Sequence, residues 1–476
     1  MMSTGRVSSS LSGEDLRRLA RDGHVHFMGV GGAGMCALAE LFARNGGHVS
    51  GCDLRPGATT ERLRALHVTV HEGHGPEHVE GAGVLVVSAA VPADHPEILE
   101  AQACGIPVLK RAEALGRWVN GGRVLAIAGT HGKTSTTAMA TEILTEAGLD
   151  PTGFVGGRVP GWDGNLRSGG DLYVVEADEY DRSFLELEPT VAVVTNVEAD
   201  HLDTYGGFDG VMRAFSEFLE GLPDDGRVMI CGDDHGASRL LAGLNGFGYT
   251  YGTAAGSQLR AVDIEAGPLG MEFRIIEDGH DCGTFSLPAP GVHNLRNALG
   301  ASGAARCFGV EWDDVRAGMA AYRGVDRRFE TLGRENDIVV VDDYAHHPSE
   351  ISATLEAARE SHRGRRLVAV FQPHLFSRTR DFADDFGRAL AGADVVWVTD
   401  VFPAREVPIP GVTGELVSAA VERAGGAVRY HQDLETLPEA VASGLVPGDL
   451  LLSMGAGSVE VVAPRVLELL RAVDHA

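Results

Sequence analysis

The chain has 476 residues, 44% of them hydrophobic and 22% charged, with a formal net charge of −27. That length accommodates two to four domains, and the acidity argues against a nucleic-acid-binding face, which needs a basic patch. No run reaches the ~18 apolar residues of a membrane helix and the N-terminus shows no apolar signal segment; six scattered cysteines without a Cys-x-x-Cys pair read as reduced thiols of a cytoplasmic protein, not as a disulfide or zinc framework.

Residues 1–22 read as a polar tail and a short helix. A strand over residues 24–30 then runs into Gly29-Val30-Gly31-Gly32-Ala33-Gly34 and a helix over 35–45. Gly-x-Gly-x-x-Gly between strand and helix is the context of a diphosphate cradle, and Gly31, Gly32, Ala33 and Gly34 are its candidate residues. The next strand, residues 48–52, ends at Asp53, where nicotinamide enzymes carry a ribose-binding acid. Strands at 84–88, ending in Ser88, and at 106–109 complete an α/β domain that closes near Asn120. A tight βα turn with close helix packing is the plainer reading of the glycines. The agreement of strand, fingerprint and acid favours an anion site.

A second loop is more specific. An apolar strand over residues 124–128 is followed by Gly129-Thr130-His131-Gly132-Lys133-Thr134, and a helical pattern begins at Ser135. Glycines let backbone N–H groups approach an anion, and the new helix aims its unpaired N–H groups and positive dipole end at the same spot. Lys133 can reach the β- and γ-phosphates of a nucleotide, and Thr134 can offer its hydroxyl to Mg²⁺. Only Lys110 and Lys133 are lysines in the whole chain. A compact point charge is therefore kept where a phosphate suits it.

Two further strands end in acids. Residues 171–177 deliver Glu176 and Asp178; residues 190–197 deliver Asn196, Glu198, Asp200 and His201. Acids at strand ends beside a phosphate loop suit a hard cation whose shell is completed by substrate phosphates. A helix over residues 291–305 carries Asn294 and Asn297 three apart, hence on one face. Their amides can hydrogen-bond a purine or serve as ordinary caps.

The last third alternates strand, loop and helix again, which predicts a mostly parallel sheet. After Arg327-Arg328 comes a strand at 337–341 ending in Asp342-Asp343-Tyr344-Ala345-His346-His347. The strand at 366–371 ends in Gln372-Pro373-His374, followed by Ser377-Arg378-Thr379-Arg380. Further strands are predicted at 394–399 and 449–453. The histidine pair suits a metal site, a substrate clamp or loop polarity. We favour the clamp, because no third soft ligand is spaced for zinc.

In chain order, HFMGVGGAGM, AGTHGKTSTT, EADE, NVEADHLDTYGGF, PGVHNLRNAL, RRFE, DDYAHHPSEI, FQPH and PARE resemble the Mur ligases over nearly the whole chain. The resemblance implies three domains: 1–120, Rossmann-like and UDP-sugar-binding; 121–326, a central P-loop ATPase; and 327–476, Rossmann-like and closing over the nucleotide and amino acid. It implies a cytoplasmic enzyme of peptidoglycan precursor synthesis, a monomer or homodimer. That enzyme uses ATP and Mg²⁺ to join L-alanine to the lactyl carboxylate of UDP-N-acetylmuramate through an acyl phosphate. By resemblance, Gly129–Ser135, Asn294, Asn297, Arg328 and Asp343 hold ATP, with His131 and Ser135 inside that loop. Thr134, Glu176 and His201 hold metal. Gly31–Gly34, Asp53 and Ser88 meet the UDP-sugar. Tyr344, His346 and Arg378 shape the amino-acid site. Lys133, Glu176, His201, His346 and Arg378 are the residues implied for catalysis.

The chain departs from that pattern at Tyr180 and Arg182, and at Leu375, where some members carry a second arginine. It has no lysine after Lys133, so the carbamylated lysine of several Mur ligases has no counterpart, in keeping with the alanine-adding branch. Rival readings are a ligase attaching a recycled tripeptide to the same UDP-sugar, a nicotinamide oxidoreductase, and a non-catalytic ATP-binding partner. The oxidoreductase leaves the second phosphate loop unexplained.

Overall fold

A computed structural model describes residues 11–162, 164–200, 202–244, 248–404 and 406–473. The chain divides into two compact units: residues 1–260, 276–282 and 296–322 form the first, and 261–275, 283–295 and 323–476 the second.

The first unit contains two sheets. Strands β1 (His24–Met28), β2 (His48–Asp53), β3 (Thr69–Glu72), β4 (Val84–Val87) and β5 (Val108–Lys110) lie in the order β3-β2-β1-β4-β5. All four pairings are parallel. Parallel strands are covered on both faces and read as continuous apolar runs, as the fully buried VLVV of β4 does. The strand order reverses between β1 and β4. That reversal opens a crevice beyond their carboxyl ends, where α/β sheets bind ligands. The glycine fingerprint follows β1 there and Ser88 follows β4.

The second sheet uses β6 (Arg123–Ala128), β7 (Thr152–Phe154), β8 (Leu166–Arg167), β9 (Leu172–Ala177), β10 (Val191–Val194), β11 (Arg227–Cys231) and β12 (Gly248–Gly252). Their order is β8-β7-β9-β6-β10-β11-β12, parallel except for β7 with β8. The phosphate loop thus leaves β6, flanked by β9, which carries Glu176, and β10, which Asn196 follows. The helix Val292–Cys307 packs on this sheet through small residues. A Cβ on Gly300 would sit 2.9 Å from the Tyr251 ring, and one on Gly303 only 2.1 Å from Met229 Cε.

Sequence reading passed over β13 (Leu259–Gly267), β14 (Gly270–Glu277) and β15 (His280–Leu287), which are hydrogen-bonded in chain order. Their signal was the period-two alternation of Met271, Phe273 and Ile275, all buried, around the exposed Glu272. The boundary between the units falls within β13.

The second unit is built on β16 (Glu330–Glu335), β17 (Ile338–Asp343), β18 (Arg366–Phe371), β19 (Val395–Val398), β20 (Val428–Tyr430) and β21 (Asp449–Met454). They run β16-β17-β21-β18-β19-β20, with only β16 antiparallel. Asp343 ends β17 and the Gln372-Pro373-His374 turn follows β18. Both therefore reach the same carboxyl edge, on either side of β21. Among the described residues no helix is long and apolar enough to cross a membrane.

Candidate active site

The loop after β6 is shaped by two glycines that nothing else can replace. Gly129 has φ +137° and a Cβ there would lie 2.0 Å from Thr195 Oγ1. Gly132 has φ +82°, and its Cβ would lie 2.5 Å from Asn297 Oδ1. Left-handed backbone and close approach both demand glycine. Asn196 braces the loop: its backbone carbonyl accepts from Thr130 N at 3.1 Å, and its side-chain oxygen from His131 N at 2.8 Å. The Asn196 amide donates to the His131 carbonyl at 3.0 Å. The helix Lys133–Glu146 starts at Lys133, two residues earlier than its apolar pattern suggests, because Gly132 supplies the cap.

Lys133 is folded back over the loop. Its Nζ donates to the carbonyls of Gly129 at 2.5 Å and Thr130 at 3.2 Å, and to Glu179 Oε2 at 2.7 Å. Burial pulls the ammonium down, but Glu179, Asp178 and Glu176 outweigh it and hold the lysine above its ordinary value. Burial also pushes the Glu179 carboxyl up, against the pull of Lys133. Glu179 is a residue the sequence reading passed over. Its signal was the second glutamate of EADE, three residues beyond Glu176.

Thr134 and Glu176 meet at Gly156. The Gly156 amide donates to the Glu176 carboxylate. A Cβ on Gly156 would stand 3.2 Å from Glu176 Oε2 and 3.6 Å from Thr134 Oγ1. Two hard oxygens thus converge on a spot that only the absence of a side chain leaves open, and that donor chemistry fits Mg²⁺. His201 lies outside the described residues.

A cleft of about 310 Å³ joins this spot to the first sheet. It runs from Gly32 and Gly34, past Ser88 and Arg111, to Glu176 and Asp178. Arg111, which opens the helix Arg111–Val119, is a second residue that sequence reading missed. Its guanidinium lies on the fingerprint: a Cβ on Gly34 would meet Arg111 Cδ and Nη1 at 3.2 Å each. It enters no hydrogen bond or ion pair among the described residues. A cation without a protein partner beside a glycine cradle suits a diphosphate. Asp53 faces the loop itself, its Oδ2 accepting from Gly31 N at 2.9 Å and its Oδ1 from Arg55 N at 3.0 Å.

In the second unit, Asp343 is buried and organises the chain before it. It accepts from Phe329 N at 2.6 Å and Ala345 N at 2.7 Å, and burial raises its pKa. Phe329 and Arg327 sit at φ +50° and +61°, a strained pair that presents Arg328. The Tyr344 ring packs under both guanidiniums, 5.3 Å from Arg327 and 5.0 Å from Arg328. Tyr344 also meets His346 edge-on at 5.2 Å, and His346 meets His374 at 5.8 Å. Burial drives His346 down to about 4, with Glu350 opposing the shift and Arg378 adding to it. Its Nδ1 lies 3.0 Å from the Tyr344 carbonyl, so that nitrogen carries the proton and Nε2 keeps its lone pair. Arg378 is 8% exposed, whereas Arg380 points outward onto Asp381 at 2.6 Å.

Two expectations change. His346 and His347 do not act as a pair: His347 is the N-cap of the helix Pro348–Ser361, its Nδ1 2.7 Å from Ser349 Oγ. Adjacent side chains diverge once one of them caps a helix. The Asn294 amide turns back to the chain before its own helix, donating one N–H to the Pro290 carbonyl at 2.8 Å, which leaves its second N–H and its oxygen for a ligand.

Residues 24–123 match the Mur ligase family, catalytic domain; 127–305 the Mur ligase middle domain; and 327–457 the Mur ligase, glutamate ligase domain. A UDP-N-acetylmuramate–L-alanine ligase of Kineococcus radiotolerans is 45% identical over 98% of this chain and 99% of its own. One from Oleidesulfovibrio alaskensis is 43% identical over 93% and 98%. The crystal structure of the UDP-N-acetylmuramate–alanine ligase of Thermotoga maritima superposes with a TM-score of 0.81 at 27% identity, covering 95% of this chain and all of that one. A murein peptide ligase from Psychrobacter arcticus gives 0.68 at 26% identity over 94% and 98%. Sheet order, phosphate loop and near full-length identity agree: the chain belongs to the Mur ligase family.

Proposed function

We propose that this protein joins L-alanine to the lactyl carboxylate of UDP-N-acetylmuramate at the expense of ATP, through an acyl phosphate. The observation that carries the reading is the cleft that leads from the glycine fingerprint and Arg111 to Glu176 beside the phosphate loop. One substrate is thereby lodged by its diphosphate with its far end delivered to the nucleotide. Limits near residues 120 and 326 divide the labour into sugar, nucleotide and amino-acid portions.

In this reading the amides of Gly132, Lys133 and Thr134 at the helix start cradle the β- and γ-phosphates, and Lys133 leaves Glu179 to neutralise them. Thr134, Glu176 and His201 hold Mg²⁺, which shields phosphate charge. By the family resemblance, Asn294, Asn297, Arg328 and Asp343 are the residues assigned to the nucleotide. The lactyl carboxylate attacks the γ-phosphorus, ADP departs, and the carboxyl carbon becomes an acyl phosphate. Positioning and charge stabilisation carry such a step. L-Alanine arrives as an ammonium, so a proton must leave before its nitrogen can attack. The ammonium proton passes to solvent, neutral His346 orients the amine by accepting a hydrogen bond at Nε2, Arg378 pairs with the alanine carboxylate, and phosphate and the second amine proton leave the tetrahedral adduct.

The test is phosphate release from ATP with UDP-N-acetylmuramate and each amino acid in turn, with L-alanyl-D-glutamyl-diaminopimelate as an additional acceptor. Release that needs both the UDP-sugar and L-alanine is the expected result. Preference for the tripeptide would assign the recycling reaction instead, and release independent of the sugar would overturn both.

A further inference from the structure

Away from the cleft, the first sheet buries a group of side chains that the ligase reaction does not use. His26 lies on β1, Cys52 on β2, His78 in the short turn Pro76–Val79, and Glu97 in the first turn of the helix Pro96–Ala103. One donor atom from each lies within 4.8 Å of every other. The side chains of His26 and Glu97 are 0% exposed and that of His78 is 11%. Sequence reading found no zinc framework because these ligands are 19 to 26 residues apart or more and come from four elements. Only the parallel sheet gathers them.

We propose that this group is a structural Zn²⁺ site with ligands His26 Nε2, Cys52 Sγ, His78 Nδ1 and Glu97 Oε1. Two nitrogens, one sulfur and one oxygen form a donor set that Zn²⁺ takes tetrahedrally, and a set without an open position is the structural kind. Bonds of ~2.0–2.3 Å place tetrahedral donors about 3.3–3.7 Å apart. Glu97 Oε1 is 3.0 Å from His26 Nε2, 3.2 Å from Cys52 Sγ and 3.7 Å from His78 Nδ1. The remaining donor pairs lie within 4.8 Å, so the side chains have to draw together to reach the metal geometry. The sulfur makes the set unsuited to Mg²⁺.

Hydrogen bonds alone account for part of the cluster. Ser50 Oγ is 2.6 Å from both His24 Nε2 and His26 Nδ1, and a proton relay through it to Glu97 satisfies His26. The Cys52 thiol can donate to the same carboxylate. His78 Nδ1 is the exception: it is buried without a hydrogen-bond partner and faces Glu97. A metal gives it one. The surroundings also orient the ligands as outer partners do in metal sites. Ser50 holds His26 Nδ1, which frees Nε2, and His71 stacks on His78 at 4.4 Å with 13° between ring planes.

Such a site ties β1, β2 and two helical turns directly behind the fingerprint. The Cys52 carbonyl accepts from Gly29 N at 2.8 Å and Val30 N at 3.1 Å, so the ligand-bearing residue also anchors the loop. Binding expels the thiol proton of Cys52 to solvent.

The experiment uses the full chain, stripped with a chelator and titrated with Zn²⁺ in excess Mg²⁺ against a chromophoric competitor. The expected result is one equivalent bound with a rise in Tm. Co²⁺ in its place should give a thiolate charge-transfer band. Cys52→Ser and His78→Asn preserve the packing; each should weaken Zn²⁺ at least about a hundred-fold and abolish the metal-dependent rise in Tm, and Cys52→Ser should remove the band. Absence of stoichiometric binding, a missing Co²⁺ band in the parent protein, or unchanged affinity in either variant would overturn the site. The readouts are binding and Tm, so the outcome is independent of the ligase reading.

Discussion

Lys133 and Glu179 form an ion pair at 2.7 Å with only 14% and 4% of their side chains exposed. The phosphate-loop lysine is thus held by a carboxylate and two carbonyls before any nucleotide arrives. Removing one partner of a buried pair leaves an uncompensated charge and costs about 3–5 kcal/mol. Lys133→Ala should therefore nearly abolish turnover and also lower the Tm. Lys133→Ala combined with Glu179→Gln should recover most of the Tm and none of the activity. Thermal melts of the single and double variants decide it: a single variant as stable as the parent would mean that the pair is not buried in solution.

Arg111 should matter for the UDP-sugar alone. Its guanidinium lines the cleft and has no protein partner among the described residues to leave stranded. Losing one charge-assisted contact costs roughly 1.5–3 kcal/mol, or about ten- to a hundred-fold in affinity. Arg111→Ala should raise the KM for UDP-N-acetylmuramate by that factor, with the KM for ATP and the Tm nearly unchanged. An equal rise for ATP would place the arginine on the nucleotide instead.

Arg378 should anchor the alanine carboxylate. It is buried beside His346, while Arg380 is 53% exposed and engaged with Asp381. A guanidinium pairs with a carboxylate through two parallel hydrogen bonds. Arg378→Ala should raise the KM for L-alanine about ten- to a hundred-fold, and Arg380→Ala should leave it alone. The opposite pattern would transfer the role to Arg380.

His346 should make the protein acid-sensitive. Its folded pKa of about 4 lies below its ordinary value of 6.5, so the unfolded chain binds the proton first. Above pH ~6.5 the residue contributes nothing to pH dependence, and between ~6.5 and ~4 its burial costs stability progressively, up to about 3 kcal/mol. His346→Gln cannot titrate. The Tm of the parent relative to this variant should fall between pH 7.5 and pH 5; parallel curves would show that the imidazole titrates normally.

The phosphate loop was legible because its chemistry is local. A strand, two glycines, a lysine and a helix within a dozen residues can meet the same anion whatever the rest of the chain does, and Gly129 and Gly132 carry their reason in their own backbone angles. The positions of most buried parallel strands were legible for a similar cause: parallel strands are covered on both faces and leave continuous apolar runs, whereas their order in the sheet was not. Tertiary structure decided what depends on pairs distant in sequence. Glu179 became the partner of Lys133 because β9 lies beside β6, and Arg111 became a cleft cation because its helix starts where β5 ends. His347 left the presumed clamp because its neighbour's helix needed a cap. His26, Cys52, His78 and Glu97 have no spacing that announces a site; parallel pairing of β1 with β2, and the turns packed against them, bring their donors together. Side-chain identity states what chemistry is available, and only the packing of elements determines which groups are close enough to share it.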